Sequence, residues 1–139
     1  MKPIIAKVSH IESIENLNIV QLQTQNHTLS LMSLELPHNV KVGSQLQLSI
    51  KPTHIALAKD LQGKVSHSNI LPAKIATIEE GKLLSVIKLH CDDFELESII
   101  TTTILNQMKL REGEMVTILM KASDLSILEL FEPKICNRD

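Results

Sequence analysis

The sequence says itself twice, and that repeat limits what the chain can fold into more than any other feature. "IIAKVSHIESIENLNIVQL" (Ile4 to Leu22) lies over "LPAKIATIEEGKLLSVIKL" (Leu71 to Leu89) at an offset of 67, matching Ala6 with Ala73, Lys7 with Lys74, Glu12 with Glu79 and Leu22 with Leu89. Further on, "VKVGSQLQLSIKPTHIAL" (Val40 to Leu57) lies over "LREGEMVTILMKASDLSI" (Leu110 to Ile127) at an offset of 70, so the second copy holds three extra residues around "TTTILNQMK". Two tandem copies of about 65 residues organise the chain. A unit of that size buries only a small core, so the copies are expected to associate.

Within each copy the hydrophobic period is that of a strand. "QLQLSIK" alternates, placing Leu46, Leu48 and Ile50 on one face and Gln45, Gln47, Ser49 and Lys51 on the other. Its counterpart "MVTILMK" keeps Val116, Ile118 and Met120 inward, but Leu119 joins Thr117 and Lys121 on the outer face, which suggests a contact with the sister copy or another subunit. The pattern predicts strands over 3–13, 17–24, 27–34, 45–51 and 53–58, then 71–79, 83–90, 94–101, 115–121 and 123–130, with a short helical turn at "TTTILNQMK" and another at "LELPHN". The implied fold is all-β: two tandem five-stranded Greek-key barrels resembling OB-folds. Residues 1–60 would form the first barrel, 61–70 a linker, 71–130 the second barrel and 131–139 a tail.

Composition removes several function classes. Among 139 residues, 14 Lys and Arg against 16 Asp and Glu give a formal charge of -2, and the only aromatic side chains are Phe94 and Phe131, so neither a basic nor a base-stacking surface for nucleic acid is expected. Cys91 and Cys136 lie far apart without a CxxC, and "MKPIIAKVSH" holds no long apolar run, so a soluble cytoplasmic setting without a membrane partner is expected. No GxGxxG, P-loop, HExxH or GxSxG is present, and the six histidines lack metal-ligand spacing, so neither an enzyme nor a metal-cation site is expected. Asp92 and Asp93 in "HCDDFE" read as solvated carboxylates at a hairpin turn.

What remains is a set of hydrogen-bond donors: "SHSN" (Ser66 to Asn69), "IITTT" (Ile99 to Thr103) and "MKAS" (Met120 to Ser123). Hydroxyls, turn amides and one lysine suit an acceptor-only oxyanion such as molybdate or tungstate, which carries no proton at neutral pH. Taken singly, each motif is ordinary: "KAS" alone is a surface lysine and a turn serine, and "SHSN" alone a polar linker.

Read in order, "SNILPAKIATIEEGKLLSVIKL", "ELESIIT" and "LREGEMVTILMKASDL" resemble the molybdate-binding Mop (TOBE) domain, with its S-A-R-N opening, I-T strand end and I-K-A-S turn. The likeness spans Ser66 to Leu128; the first copy, Pro3 to Ala58, is similar but degraded, and the whole is similar to the tandem-Mop molbindins. The resemblance implies oxyanion contacts from Ser66, His67, Ser68, Asn69, Thr101, Lys121, Ala122 and Ser123, with Lys51 and Thr53 as weaker candidates. It also implies that the segments meet across a domain or subunit interface, one unit giving the S-A-R-N loop and the other the lysine turn and threonine. Departures are Ser68 for the arginine, His67 for the alanine, Ile104 for a serine three residues after Thr101, and, in the first copy, Leu34 at the threonine position and Pro52 in the turn.

The function implied is cytoplasmic binding of molybdate or tungstate for storage or homeostasis by a homo-oligomer, a trimer before a dimer. No organic cofactor is implied. The alternative is an accessory module that docks on a molybdate transport ATPase or a transcriptional regulator, with reduced anion binding.

Overall fold

The structure, a computed structural model, describes residues 1–131. Cys136 and the expected tail lie outside the described residues, apart from Phe131, which ends the last strand. Ten strands form: β1 (Ile4–Ile14), β2 (Leu17–Gln23), β3 (Thr28–Ser33), β4 (Gln45–Ser49), β5 (Ala56–Ala58), β6 (Asn69–Glu80), β7 (Leu84–Cys91), β8 (Phe94–Thr101), β9 (Met115–Met120) and β10 (Ser126–Phe131). One helix, α1 (Thr102–Met108), follows β8. Its expected partner at "LELPHN" is absent from the first copy. That segment lacks the three extra residues, and Pro37 withholds an amide that a helix would use.

The two copies repeat their backbone devices along with their sequence. The register of β1 shifts between Val8 and His10, and that of β6 between Ile75 and Thr77, so the long first strand of each copy is bulged at equivalent places. The bulge lets the strand serve two neighbours: its first half pairs with β4 or β9, its second with β2 or β7. Gly43 and Gly113 hold it there. Each has a positive φ, +95° and +87°, and each donates its amide to the bulge, Gly43 to Val8 O at 2.8 Å and Gly113 to Ile75 O at 2.7 Å.

Sheet membership departs from sequence order. One sheet runs β10-β4-β1-β2-β3 and the other β5-β9-β6-β7-β8, so each copy lends its last strand to the other. Ile127 and Leu130 lie opposite Leu48 and Leu46, while Leu57 lies opposite Ile118. The repeat boundary and the barrel boundary therefore differ: residues 56–58 complete the second barrel and 126–131 the first. Leu119, the outward apolar residue of β9, is only 7% exposed and lies opposite Ala56 of the borrowed strand. The inward residues Leu46, Leu48, Val116, Ile118 and Met120 join one core with Ile4, Leu22, Leu29, Ile75, Ile87 and Leu89.

Candidate functional site

In each copy a lysine just past the fourth strand leads into a 3-10 turn, Pro52–His54 after Lys51 and Ala122–Asp124 after Lys121. The turns touch. His54 Nδ1 lies 3.5 Å from Asp124 Oδ1, and these two residues are equivalent at the offset of 70. A contact between equivalent residues marks the axis relating the copies, so Lys51 and Thr53 gather with Lys121, Ala122 and Ser123 around one pseudo-two-fold axis. A second pair of equivalents marks the axis elsewhere: the Asn26 amide donates to Asp93 Oδ2 at 3.2 Å, an offset of 67.

The SHSN loop reaches the same end of the second barrel as the KAS turn. The β6–β9 ladder ends with Asn69 opposite Met120, so Ser68 and Lys121 are the next residues outward on the two strands. Ser66, Ser68, Lys121 and Ser123 are exposed, and Ala122 and His67 half-buried. The Nδ1 of His67 is buried without a partner among the described residues. Asp124 donates its amide to Lys121 O at 3.0 Å, which closes the turn, and the Lys121 residue is exposed beside it.

Asn69 has a different position from its neighbours in the motif. Its side chain is 1% exposed and copies a strand neighbour, Oδ1 accepting from Ser30 N at 2.7 Å and Nδ2 donating to Ser30 O at 2.9 Å. It fastens the loop to edge strand β3 of the other barrel.

Thr101 stands apart from the lysine turn of its own copy. It caps α1, its hydroxyl oxygen accepting the Ile104 amide at 3.3 Å, and so keeps its own proton to donate. Beneath it Thr102 is buried, donating to Gly81 O at 2.8 Å and meeting the Ser85 hydroxyl at 2.7 Å. The turn that packs on β8 is the first copy's, seated where the Ser98 hydroxyl donates to Ile55 O at 2.8 Å. The KAS turn instead packs on β3, and Ser123 shares an open groove of about 430 Å³ with Ser33, Leu34 and Glu35. Strand exchange thus crosses the half-sites: within one chain the intact serine turn faces Leu34, and the intact threonine lies on the side of Lys51 and Thr53.

Thr101 and Leu34 both stand in exposed apolar rims. Leu83 is 82% exposed and Leu84 57% beside α1, and Leu34 is 70% exposed in the first copy. Several positions carried no sequence signal as single residues. His54, Asp124 and Asn26 become notable only when the offsets pair them, and Asp93, expected with Asp92 as a solvated carboxylate, instead has a side chain only 6% exposed whose Oδ2 accepts the Asn26 amide. Lys59, just past β5, donates to Met108 O and Lys109 O at 3.2 Å and pairs with Glu114 at 2.7 Å, so the first copy caps the C-terminus of the second copy's helix. The Glu114 carboxyl is held below its usual range by that Lys59 hydrogen bond, with burial opposing. Among the described residues no group of three or more His, Cys, Asp or Glu converges to hold a metal ion.

The class defined by this geometry is a fused pseudodimer of OB-like barrels with exchanged last strands. Residues 66–127 match the TOBE domain family. The structure is similar to that of ModG, described as a cytoplasmic molybdate-binding protein and solved with molybdate bound, at a TM-score of 0.84 and 21% identity over 89% of this chain and 92% of that one. That likeness establishes the fold for both halves. No curated protein matches the sequence significantly.

Proposed function

We propose that this protein binds molybdate or tungstate in the cytoplasm, as a store or buffer of the anion and not as an enzyme. The observation that carries the reading is the convergence of Ser66–Asn69 with Lys121–Ser123 at one end of the β6–β9 ladder, beside the axis where the two 3-10 turns meet. Hydroxyls, turn amides and a lysine meet there, a set that donates to an anion's oxygens and accepts little from it. A protonated phosphate also needs an acceptor, so molybdate and tungstate are favoured over it. Two carboxylates stand nearby: Asp124 in the turn, which His54 faces, and Glu35 in the groove beside Ser123.

Thr101 lies away from this cluster in its own chain, and the apolar rims beside Thr101 and Leu34 are exposed. A second copy of the chain that buried those rims would bring its Thr101 to the lysine turn, so binding and assembly are one process, with a trimer the favoured state. The first copy, with Leu34 and Pro52, has the structural part, and Lys51 and Thr53 contribute weakly. The similarity to a molybdate-binding protein of the same fold supports the ligand class.

Calorimetric titration with molybdate, tungstate, sulfate and phosphate tests this reading. Molybdate and tungstate should bind, phosphate should not, and Lys121→Ala and Ser123→Ala should each weaken binding by about tenfold or more, the loss of one charge-assisted bond of ~1.5–3 kcal/mol. No heat and no thermal shift at millimolar anion would leave the alternative, an accessory module docking on a transporter or regulator. Light scattering on the same samples gives the oligomeric state.

A further inference from the structure

Beneath Thr101 lies a chain of buried hydroxyls whose direction is fixed by proton count. Thr102 has a single hydroxyl proton and gives it to Gly81 O at 2.8 Å, so the 2.7 Å contact with Ser85 is Ser85 donating to Thr102 Oγ1. The order runs Ser85 to Thr102 to Gly81. Ser85 is 0% exposed and Thr102 7%, so neither hydroxyl has water as an alternative partner. The Thr102 amide adds a third tie, donating to Leu83 O at 2.9 Å.

The first copy has neither this hydroxyl chain nor the threonine above it. At the offset of 67, Asn18 stands for Ser85 and Ile14 for Gly81, and Glu35 follows Leu34 where Thr102 follows Thr101. Asn18 turns its side chain to Ser13 and the Ser33 carbonyl instead. Hairpin closure does not account for the hydroxyls, because β1 and β2 pair as far as Ile14 and Leu17 without them. The threonine and its seat are present together in one copy and absent together from the other.

We infer that Thr102 and Ser85 are positioning residues for the Thr101 hydroxyl, holding it at the angle from which it donates to a bound oxyanion; the inference rests on the anion reading above. The Thr101 oxygen accepts the Ile104 amide at 3.3 Å, so the hydroxyl proton is what its side chain can offer an anion. One turn about χ1 would aim it elsewhere. Which rotamer is allowed depends on the backbone that carries it, and three hydrogen bonds on the next residue hold that backbone still. A donor already in place costs less ordering when the ligand arrives. Ile104 withholds the second hydroxyl that a serine there would supply, so binding on this side leans on Thr101.

Ser85→Ala removes the donor to Thr102 with little change of volume, so it should weaken molybdate binding about three- to tenfold and leave the oligomeric state unchanged. Thr102→Val should weaken it at least as much, and Thr102→Ser, which keeps the hydroxyl, should restore it. A positioning role has one further signature: its effect passes through Thr101. On a Thr101→Val background, Ser85→Ala should therefore cost no additional affinity.

The experiment is calorimetric titration of the full chain with molybdate, for the unmodified protein, the single variants and Thr101→Val/Ser85→Ala, with hydrogen exchange of the Ile104 amide as a readout that needs no ligand. Faster exchange in Ser85→Ala together with non-additive losses of affinity supports the inference. Unchanged exchange, unchanged affinity in Ser85→Ala, or losses that add to those of Thr101→Val overturn it alone. No binding by the unmodified protein overturns the anion reading and this inference with it. Should Thr102→Val not fold, the cycle of Ser85→Ala with Thr101→Val decides by itself.

Discussion

Asn69 and Ser68 sit side by side in one motif, and the fold gives them different work. Ser68 is exposed at the ladder's end, whereas Asn69 spends its whole amide on the Ser30 main chain. Asn69→Ala would strand a buried amide and carbonyl of β3, a loss of about 1–3 kcal/mol that chemical denaturation should show. Anion affinity in that variant should fall through displacement of the loop, and Asn69→Asp should not restore stability, because its second carboxylate oxygen would face the Ser30 carbonyl where Nδ2 donates. Cys91 offers a second check at this scale. Burial first, and then the charges of Asp93 and Asp92, push its thiol up to about 12. In a Cys136→Ser background the native protein should therefore resist iodoacetamide at pH 8 and react once denatured.

At the scale of the element, the hairpin joining β6 to β7 is the piece that seats α1. Gly81 donates to Leu84 O at 3.0 Å, Leu83 O accepts the Thr102 amide, and Gly81 O accepts the Thr102 hydroxyl. A Cβ on Gly81 would stand 2.5 Å from the Leu84 carbonyl oxygen, a backbone atom that cannot move without opening the turn. Gly81→Ala should cost about 1–3 kcal/mol and loosen the cap at Thr101, seen as faster hydrogen exchange of the Ile104 amide. The exchanged strands carry a sharper expectation. A fragment spanning residues 66–131 holds β10 without β4 and β9 without β5, so it should be found by size-exclusion chromatography and circular dichroism as an unfolded chain or a self-paired oligomer, not a folded monomer.

For the whole molecule, exchange of strands makes the barrels one cooperative unit. Unfolding should be a single transition by both circular dichroism and calorimetry, with no plateau for one barrel alone. Acid should act through Asp93. Burial alone would raise its carboxyl, but hydrogen bonds from the Thr24 side chain and the Asn26 amide, with the charge of His27, outweigh it and hold the group below the usual carboxylate range. A depressed carboxyl contributes stability that is present at neutral pH and is lost as the pH falls through its folded-state titration, below about pH 4. Asp93→Asn should therefore unfold with a weaker dependence on pH in the acid limb than the unmodified protein.

Much of this protein was legible as a string because its two copies still align residue by residue. Period-two alternation in "QLQLSIK" and "MVTILMK" placed Leu46, Leu48, Val116, Ile118 and Met120 inward, and the strands and α1 follow where hydrophobic period and turn residues agree. The helix expected at "LELPHN" failed because a local signal met a shorter loop and Pro37. The donor motifs Ser66–Asn69 and Lys121–Ser123 were visible because hydroxyls, an amide side chain and a lysine recur in a familiar order. Which barrel owns β5 and β10 was not visible, since the same alternation fits either sheet edge and only packing chooses between them. That choice put the KAS turn against Leu34, set Thr101 on the side of Lys51 and Thr53, and set His27 and His54 against the carboxylates of the sister copy. Sequence by itself determined the β character, the repeat and the donor chemistry, because those rest on residue type and local period; tertiary structure decided which copies of each motif meet, because pairing across a pseudo-two-fold axis depends on contacts that no local pattern encodes.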